Sequence, residues 1–580
     1  MIPPVRMPQS NAAQTPRSLS AVTVCSWLIL LIVAGAYIRI EVPLHYPYGN
    51  DEAMHIGMAS GSSLSDVLRY SLYEVHPPLF YILLHYWMKI SAAPEFVRCL
   101  SLVFGMALIP LYYCIGVKLS DRLSGLCCAT LMTLSYGCIV QSYLVRSYGL
   151  LVFLLSLNFY FYLHWRDSHK KTILLAYILV GWLAVSNHFS AVFYFACIAA
   201  FETVALLRGG AGRSRIMHWL LANLAILALA VILYRFWQPA IVFYSSHNPG
   251  IFFPYPSSIR HLVTNTLSAP FYAAYYIYPP IPLLFIMMLY AFLSPQFASD
   301  KQIALRPYLA VAGIACLLSM AIYILRLYPP LGTRHSLWMV PLLLPAMGVM
   351  VADLLERATV SLRHRPIRAT LLLLAYSAVC DMGVRSGDDE YSDWQRGPWQ
   401  TILQTLDTLG SRDVIITDKS GLNLLTNMYL YKSNETLVNG TVPVLAPYRN
   451  THILIGPEYF GNYSAHALHD MMETANANHL FENVDRFVFV KLWMGAPFYD
   501  LMLCDKYPKQ IFYPLLPPGM SLDRNNFPLT YRTFGVTAVL KTAFLSDVLS
   551  VSGKAASCLD TKNDKITGDF IAPSAKRSLP

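Results

Sequence analysis

The sequence predicts a polytopic α-helical membrane domain followed by an exported α/β domain, on three observations. Hydrophobic residues make up 55% of the 580-residue chain and charged residues 13%, against about 25% charged in an ordinary soluble protein. Apolar runs of spanning length recur along the first two thirds of the chain, up to about residue 385. From about residue 386 charges, Asn and Gly accumulate, and short β-rich runs replace the long apolar ones. The formal net charge of +10 is scattered through gaps between apolar runs, as orientation signals are. That pattern points to membrane lipid and away from nucleic acid.

Residues 1–20 form a cytoplasmic N-terminal tail, and a transmembrane domain of about 11 helices occupies 21–385. Spans are predicted near 21–40, 96–117, 123–141, 147–165, 172–187, 189–207, 217–236, 274–294, 308–326, 337–355 and 369–385, each suited to a hydrocarbon core of about 30 Å. Arg6 and Arg17 precede a first run longer than the roughly 7–15 apolar residues of a signal-peptide core, so it reads as a retained span. Ala34-Gly35-Ala36 keeps a cleavage site open as the alternative. With the N-terminus in the cytoplasm, Lys118/Arg122, Arg166/Lys170/Lys171, Arg208/Arg213/Arg215, Lys301/Arg306 and Arg357/Arg363/Arg365/Arg368 all fall on one side. This is the positive-inside pattern of a cytoplasmic (inner) membrane protein. An odd number of spans then exports the C-terminal domain to the periplasmic, extracytoplasmic face.

The outer loop 41–95 carries apolar residues at helical intervals over 53–70 and 76–90, which predicts two interfacial helices. The second opens at His76-Pro77-Pro78, where proline suits a first helical turn. Beyond the spans, 386–552 reads as a soluble α/β domain, with strands at Asp413–Thr417, His452–Ile455 and Arg486–Leu492 and helices over 399–409, 422–431 and 465–476. The stretch 553–580 is rich in Lys, Ser, Asp and Pro without an apolar period and reads as a disordered tail. Nine of the eleven cysteines lie in or beside apolar segments without metal-ligand spacing. Only Cys504 and Cys558 fall in the polar part, where an oxidising compartment permits a bridge.

Three groups of residues are candidates for chemistry. Asp51 and Glu52 form an acidic pair about ten residues after the first span. A carboxylate at a helix start is stabilised by the helix dipole whatever its function; the sharper reading makes one of the pair a general base for an acceptor hydroxyl. Arg146, Arg326 and Arg334 lie on the outer side, against the usual charge bias, where a guanidinium holds a phosphate through paired hydrogen bonds or else snorkels and pairs with an acid. His55, His76, His188 and His335 recur at the same level. No local His-x-x-His spacing singles them out as metal ligands, so hydrogen-bonding roles are the simpler reading.

The order of these residues carries a resemblance. Asp51-Glu52 after the first span, then His76-Pro77-Pro78-Leu79-Phe80-Tyr81 with His85-Tyr86-Trp87, then Glu95-Phe96-Val97-Arg98, resembles the GT-C membrane glycosyltransferases. The likeness is to the bacterial branch akin to protein O-mannosyltransferases and lipid A aminoarabinose transferases. Val145-Arg146-Ser147-Tyr148, Ser186-Asn187-His188-Phe189 and Thr333-Arg334-His335 with Pro341 and Pro345 are similar to further motifs of that group, in the same order. Tyr391-Ser392-Asp393-Trp394 resembles the start of its exported domain. His335 stands where the family usually has Tyr, and the Asp-x-Asp of one GT-C branch is absent. A divalent metal is therefore not required by the sequence, and metal dependence stays open.

The resemblance implies an inverting transfer of a sugar, hexosyl or pentosyl, from a polyprenyl-phosphate donor to a hydroxyl of an envelope glycan, lipid or protein acceptor. Asp51 and Glu52 are then the catalytic pair, and Arg146 and Arg334 hold the donor phosphate. His76, His55, His188, Tyr148 and Arg326 position the substrates. A polysaccharide polymerase or ligase, or a lipid-linked sugar transporter, is the alternative.

Overall fold

The computed structural model describes residues 19–40, 50–72, 74–210, 212–247, 260, 263–264, 266, 300–325, 334–358, 409–417, 444–448, 451–455, 482–491, 513–514 and 535–540. The chain divides into two compact units, Met1–His45 with Gly61–Asp389 and Tyr46–Ser60 with Glu390–Pro580.

The first unit is a helical bundle. Its described elements are α1 (Ala21–Ile40), α3 (Leu64–Ser71), α4 (Leu79–Met88), α5 (Pro94–Leu119), α6 (Arg122–Leu134), α7 (Tyr136–Tyr143), α8 (Ser147–Ser168), α9 (Lys171–Asn187), α10 (Ala191–Arg208), α11 (Arg213–His247), α12 (Asp300–Ile324), a 3-10 helix (Arg334–Met339) and α13 (Val340–Ala358). Among the described residues seven helices are long and apolar enough to cross a membrane, or eight if the bent pair α6–α7 is one span. The chain is a multi-pass membrane protein. Nine of the eleven predicted spans fall on described helices, although α9, at 17 residues, is shorter than the seven long ones. The predicted spans 274–294 and 369–385 lie outside the described residues.

Two departures from the predicted pattern have local causes. The run 123–141 is not one straight helix: α6 and α7 meet at Ser135 with a 57° bend. The predicted interfacial helix over 53–70 is two helices, because Ser63 starts a new one. Its side chain accepts from the Asp66 amide while the Asp66 carboxylate accepts from the Ser63 amide, a capping box that starts α3 afresh after the helix Asn50–Ala59. The second predicted interfacial helix is α4, and Phe80, Tyr81 and Leu84 on it are buried.

Several polar side chains inside the bundle bond one another or a neighbouring helix's carbonyls, which lowers the cost of an apolar surround. Asn158 donates to the Tyr177 carbonyl at 2.7 Å and accepts from the Tyr194 hydroxyl at 3.1 Å, joining α8, α9 and α10. The Tyr162 hydroxyl donates to the buried Glu202 carboxylate at 2.8 Å, and Arg166 pairs with the same oxygen at 3.5 Å. Small residues let helices approach closely: a Cβ on Gly348 of α13 would lie 2.4 Å from Cys128 Sγ on α6. No disulfide joins the described cysteines, Cys25, Cys99, Cys114, Cys127, Cys128, Cys138, Cys197 and Cys316; Cys504 and Cys558 lie outside the described residues.

The second unit contains α2 (Asn50–Ala59) and a mixed sheet of β1 (Asp413–Thr417), β2 (Val444–Tyr448), β3 (Thr451–Ile455), β4 (Arg486–Lys491), β5 (Tyr513–Pro514) and β6 (Gly535–Leu540). The strand order is β2-β3-β1-β4-β6-β5. β1 is central and parallel to both neighbours, with Ile415 opposite Ile453 on one side and Val488 on the other. β2 and β6 add antiparallel. The three predicted strands are β1, β3 and β4. Apart from Leu409, which is not helical, the predicted helices over 399–409, 422–431 and 465–476 lie outside the described residues.

Candidate functional site

The candidate site of the bundle lies where its spans break off at one end. The chain leaves α3 at Ser71, α7 at Tyr143 and α9 at Asn187, and re-enters at α4, α8 and α10. These turns alternate along the chain with those carrying Lys118, Arg122, Arg166, Lys170, Lys171, Arg208 and Arg213, so they sit at the end opposite the basic residues. Four helical N-termini open at this end, at Leu79, Ser147, Ala191 and Arg334. Their positive dipole ends favour an anion.

Each functional side chain has a local reason for its place. The Val75 amide donates to Glu74 Oε2 at 2.9 Å, folding the carboxylate back over the turn. His76 Nδ1 lies 3.3 Å from the same oxygen, and because an ionised carboxylate only accepts, Nδ1 carries the proton. Pro78 is the N-cap of α4, which starts at Leu79, three residues later than the predicted start at His76. Asn187, fully buried at the end of α9, donates to the Ser147 carbonyl at 2.9 Å and ties this turn to the start of α8. His188 follows in an extended conformation, and its Nδ1 accepts from the Ser190 amide at 3.1 Å. That bond fixes the neutral ring with its proton on Nε2, a donor.

Tyr148, in the first turn of α8 and 1% exposed, is the hub. Its hydroxyl is 3.1 Å from His335 Nδ1 on the 3-10 helix. Its ring centroid is 4.8 Å from that of His188 and 6.2 Å from that of His76. The His76 and His188 rings are 4.8 Å apart. The Arg146 guanidinium stands 5.4 Å above the Tyr148 ring and is buried. Tyr148 therefore orders three imidazoles and one fixed cation around a single ring. Arg146 is the N-cap residue of α8 in an extended conformation, so its charge adds to that of the helix terminus.

The structure brings His76, Arg146, Tyr148, His188 and His335 together. Arg334 opens the same 3-10 helix beside His335. Arg326 lies outside the described residues. Asp51 and Glu52 occupy the first turn of α2 in the second unit, with Glu52 buried and His55 Nδ1 bonded to the Asp51 carbonyl at 2.7 Å. Glu74 was not singled out from the sequence. Its signal was an acid two residues before a His-Pro-Pro turn, which is unremarkable until the fold shows it buried against His76. No group of three or more His, Cys, Asp or Glu among the described residues is arranged to hold a metal.

No protein-family model and no curated protein sequence matches the chain. Solved structures do. ArnT from Cupriavidus metallidurans bound to undecaprenyl phosphate superposes with a TM-score of 0.50 at 13% identity, covering 92% of this chain and 100% of that one. The archaeal oligosaccharyltransferase AglB from Archaeoglobus fulgidus, in complex with an inhibitory peptide and a dolichol-phosphate, gives 0.46 at 13% identity over 81% of this chain and 69% of its own. The S. cerevisiae protein O-mannosyltransferase Pmt1–Pmt2 complex bound to the sugar donor gives 0.31 at 17% identity over 42% and 35%. The first of these likenesses gives the fold: a polytopic GT-C membrane architecture.

Proposed function

We propose that the protein is an inverting glycosyltransferase that moves a sugar from a polyprenyl-phosphate donor to an acceptor hydroxyl at the outer face of the cytoplasmic membrane. One observation carries the reading. A buried arginine, a tyrosine and three histidines converge at the end of a membrane bundle where helix N-termini open. Such a set suits a phosphate that arrives on an isoprenoid chain within the lipid and must stay at its edge.

In this reading Arg146 and Arg334 hold the donor phosphate. Asp51 takes the proton from the acceptor hydroxyl, whose oxygen attacks the anomeric carbon from the face opposite the phosphate. The bond from carbon to the phosphate oxygen breaks, the configuration inverts, and the lipid phosphate leaves with the electron pair. Its growing negative charge faces the Arg146 guanidinium and the Nε2–H of His188, donors fixed before the reaction begins. Tyr148 and His76 orient that face of the site, with Glu74 holding His76. Glu52, His55 and Arg326 position substrates. Acceptors of this class are envelope glycans, lipids and proteins.

The test combines chemistry with one substitution. Mass spectrometry of membranes with and without the gene should find an accumulating polyprenyl-phosphate sugar and a missing sugar on one envelope acceptor. Asp51→Asn, correctly inserted, should lower transfer by roughly 10²–10⁴-fold, the range for a lost general base. Identical donor pools with and without the gene would refute the transferase reading, and full activity in Asp51→Asn would remove that residue as the base.

A further inference from the structure

Arg39 near the end of α1 has no part in the chemistry proposed above, yet it is completely buried. We propose that Arg39 is a positioning residue for Arg146: it clamps the bend between α6 and α7 and thereby fixes the segment that delivers Arg146. The inference rests on the reading of Arg146 as the phosphate-holding residue.

The clamp follows from what a bend in a membrane span requires. A straight helix satisfies each carbonyl from the amide four residues on, and a break leaves carbonyls facing apolar surroundings. At the α6–α7 bend the Thr133 carbonyl is one of these, and the Met132 carbonyl keeps only a long bond from the Ser135 amide at 3.4 Å. Arg39 Nη2 donates to Met132 at 3.2 Å, and Nη1 donates to Thr133 at 3.0 Å and to Gly35 of its own helix at 3.2 Å. Its Nε donates to Ser142 Oγ at 3.1 Å, on the far arm of the bend. Four bonds therefore use four of the five guanidinium donors. The cation also lies against the negative end of the α6 dipole, which offsets part of its desolvation.

One side chain thus grips both arms of the bend, α6 by its last carbonyls and α7 by Ser142. A lysine has no planar fork and cannot span both. From α7 the path to the site is short. Leu144 caps that helix, and Val145 leads to Arg146, whose amide donates to the Leu144 carbonyl at 2.7 Å. The angle of α7 accordingly sets where Arg146 enters the Tyr148 cluster.

Undecaprenyl phosphate binding by the purified full chain in detergent is the readout. Arg39→Lys and Ser142→Ala should each weaken binding about tenfold, or about 1.4 kcal/mol. Ser142→Ala leaves the α6 carbonyls bonded, so it keeps the test alive if Arg39→Lys fails to fold. In an Arg146→Ala background neither change should weaken binding further, which separates action through Arg146 from general damage. Wild-type binding in the folded single variants, or a full additional loss on top of Arg146→Ala, would overturn the proposal. Hydrogen exchange is read in parallel: amides over 136–147 should exchange faster in both variants while the rest of α8 is unchanged. Unchanged exchange over 136–147 also overturns the clamp. Absence of undecaprenyl phosphate binding in the wild type would instead count against the donor reading, and the exchange result would still decide the clamp.

Discussion

The two units manage their backbone polar groups in opposite ways. In the sheet of the second unit, each central strand is satisfied by its neighbours: Ile415 of β1 is flanked by Ile453 of β3 and Val488 of β4. In the helical unit each segment largely satisfies itself, and a neighbour matters most where a helix starts or stops. There the bundle uses side chains: Arg39 for the end of α6, Asn187 for the Ser147 carbonyl at the start of α8, and Ser63 for the start of α3. The sheet therefore depends on continuity and the bundle on a few polar residues at its interruptions. The candidate site sits at such interruptions, because only there can polar atoms face a ligand without breaking a span.

Proline makes the largest test of that difference. Pro447 lies in β2, an edge strand, and Pro514 in β5, the other edge, where a missing amide is tolerated. Ile415→Pro in central β1 removes a ladder bond and leaves its carbonyl partner unpaired, which should destabilise the sheet by about 1–3 kcal/mol. Limited proteolysis should then cleave within 410–540 while the membrane-spanning fragment stays intact. Equal protection of both units in Ile415→Pro would mean that β1 is not a central, fully paired strand.

The bundle has its own counterpart at a close approach. A Cβ on Gly105 of α5 would lie 2.0 Å from Ser142 Oγ and 2.5 Å from Ser142 Cβ on α7, closer than atoms can sit. Gly105→Ala must push α7 away and loosen the bond from Arg39 to Ser142. An overpacked core costs about 1–3 kcal/mol, so thermal unfolding in detergent should move down by several degrees. Gly105→Ala combined with Ser142→Gly should recover part of the loss, because the clashing atoms are gone. No recovery would place the strain elsewhere.

How much of this was legible in the sequence follows the same division. Spans were legible because length and apolarity are forced by the bilayer; Arg146, His76, His188 and His335 were legible because arginines and histidines recur at span ends, whereas Tyr148 came only with the resemblance of Val145-Arg146-Ser147-Tyr148. The bend at Ser135 was not: no proline marks it, and its partner lies 96 residues away, at Arg39. Arg39 carries no signal of its own, since burial by carbonyls leaves no pattern in a single sequence. β2 and β5 were hidden by Pro447 and Pro514, which argue against a strand until the sheet shows them at its edges. Glu74 stayed unnoticed because its role depends on being folded back onto His76, two residues along.

The smallest effect belongs to the cap of α3, which separates the two predicted interfacial helices. The Ser62 and Ser63 hydroxyls donate to the Asp66 carboxylate at 2.5 and 2.7 Å, and the Ser63 amide donates to it at 3.0 Å. These bonds hold the Asp66 pKa below the usual carboxylate value. A group whose folded pKa is depressed contributes its stability above the unfolded value, near pH 3.9 for Asp, and loses it as pH falls through the folded value. The Asp66 side chain is half-buried at the surface, so solvent still screens the contribution and keeps it small. Wild type should therefore exceed Asp66→Asn in thermal stability at pH 7 by a small margin, and the margin should close on acidification below about pH 4. A margin that persisted at low pH would assign the effect to the shape of the turn rather than to the carboxylate charge, and α3 would then start where it does because Ser63 alone caps it.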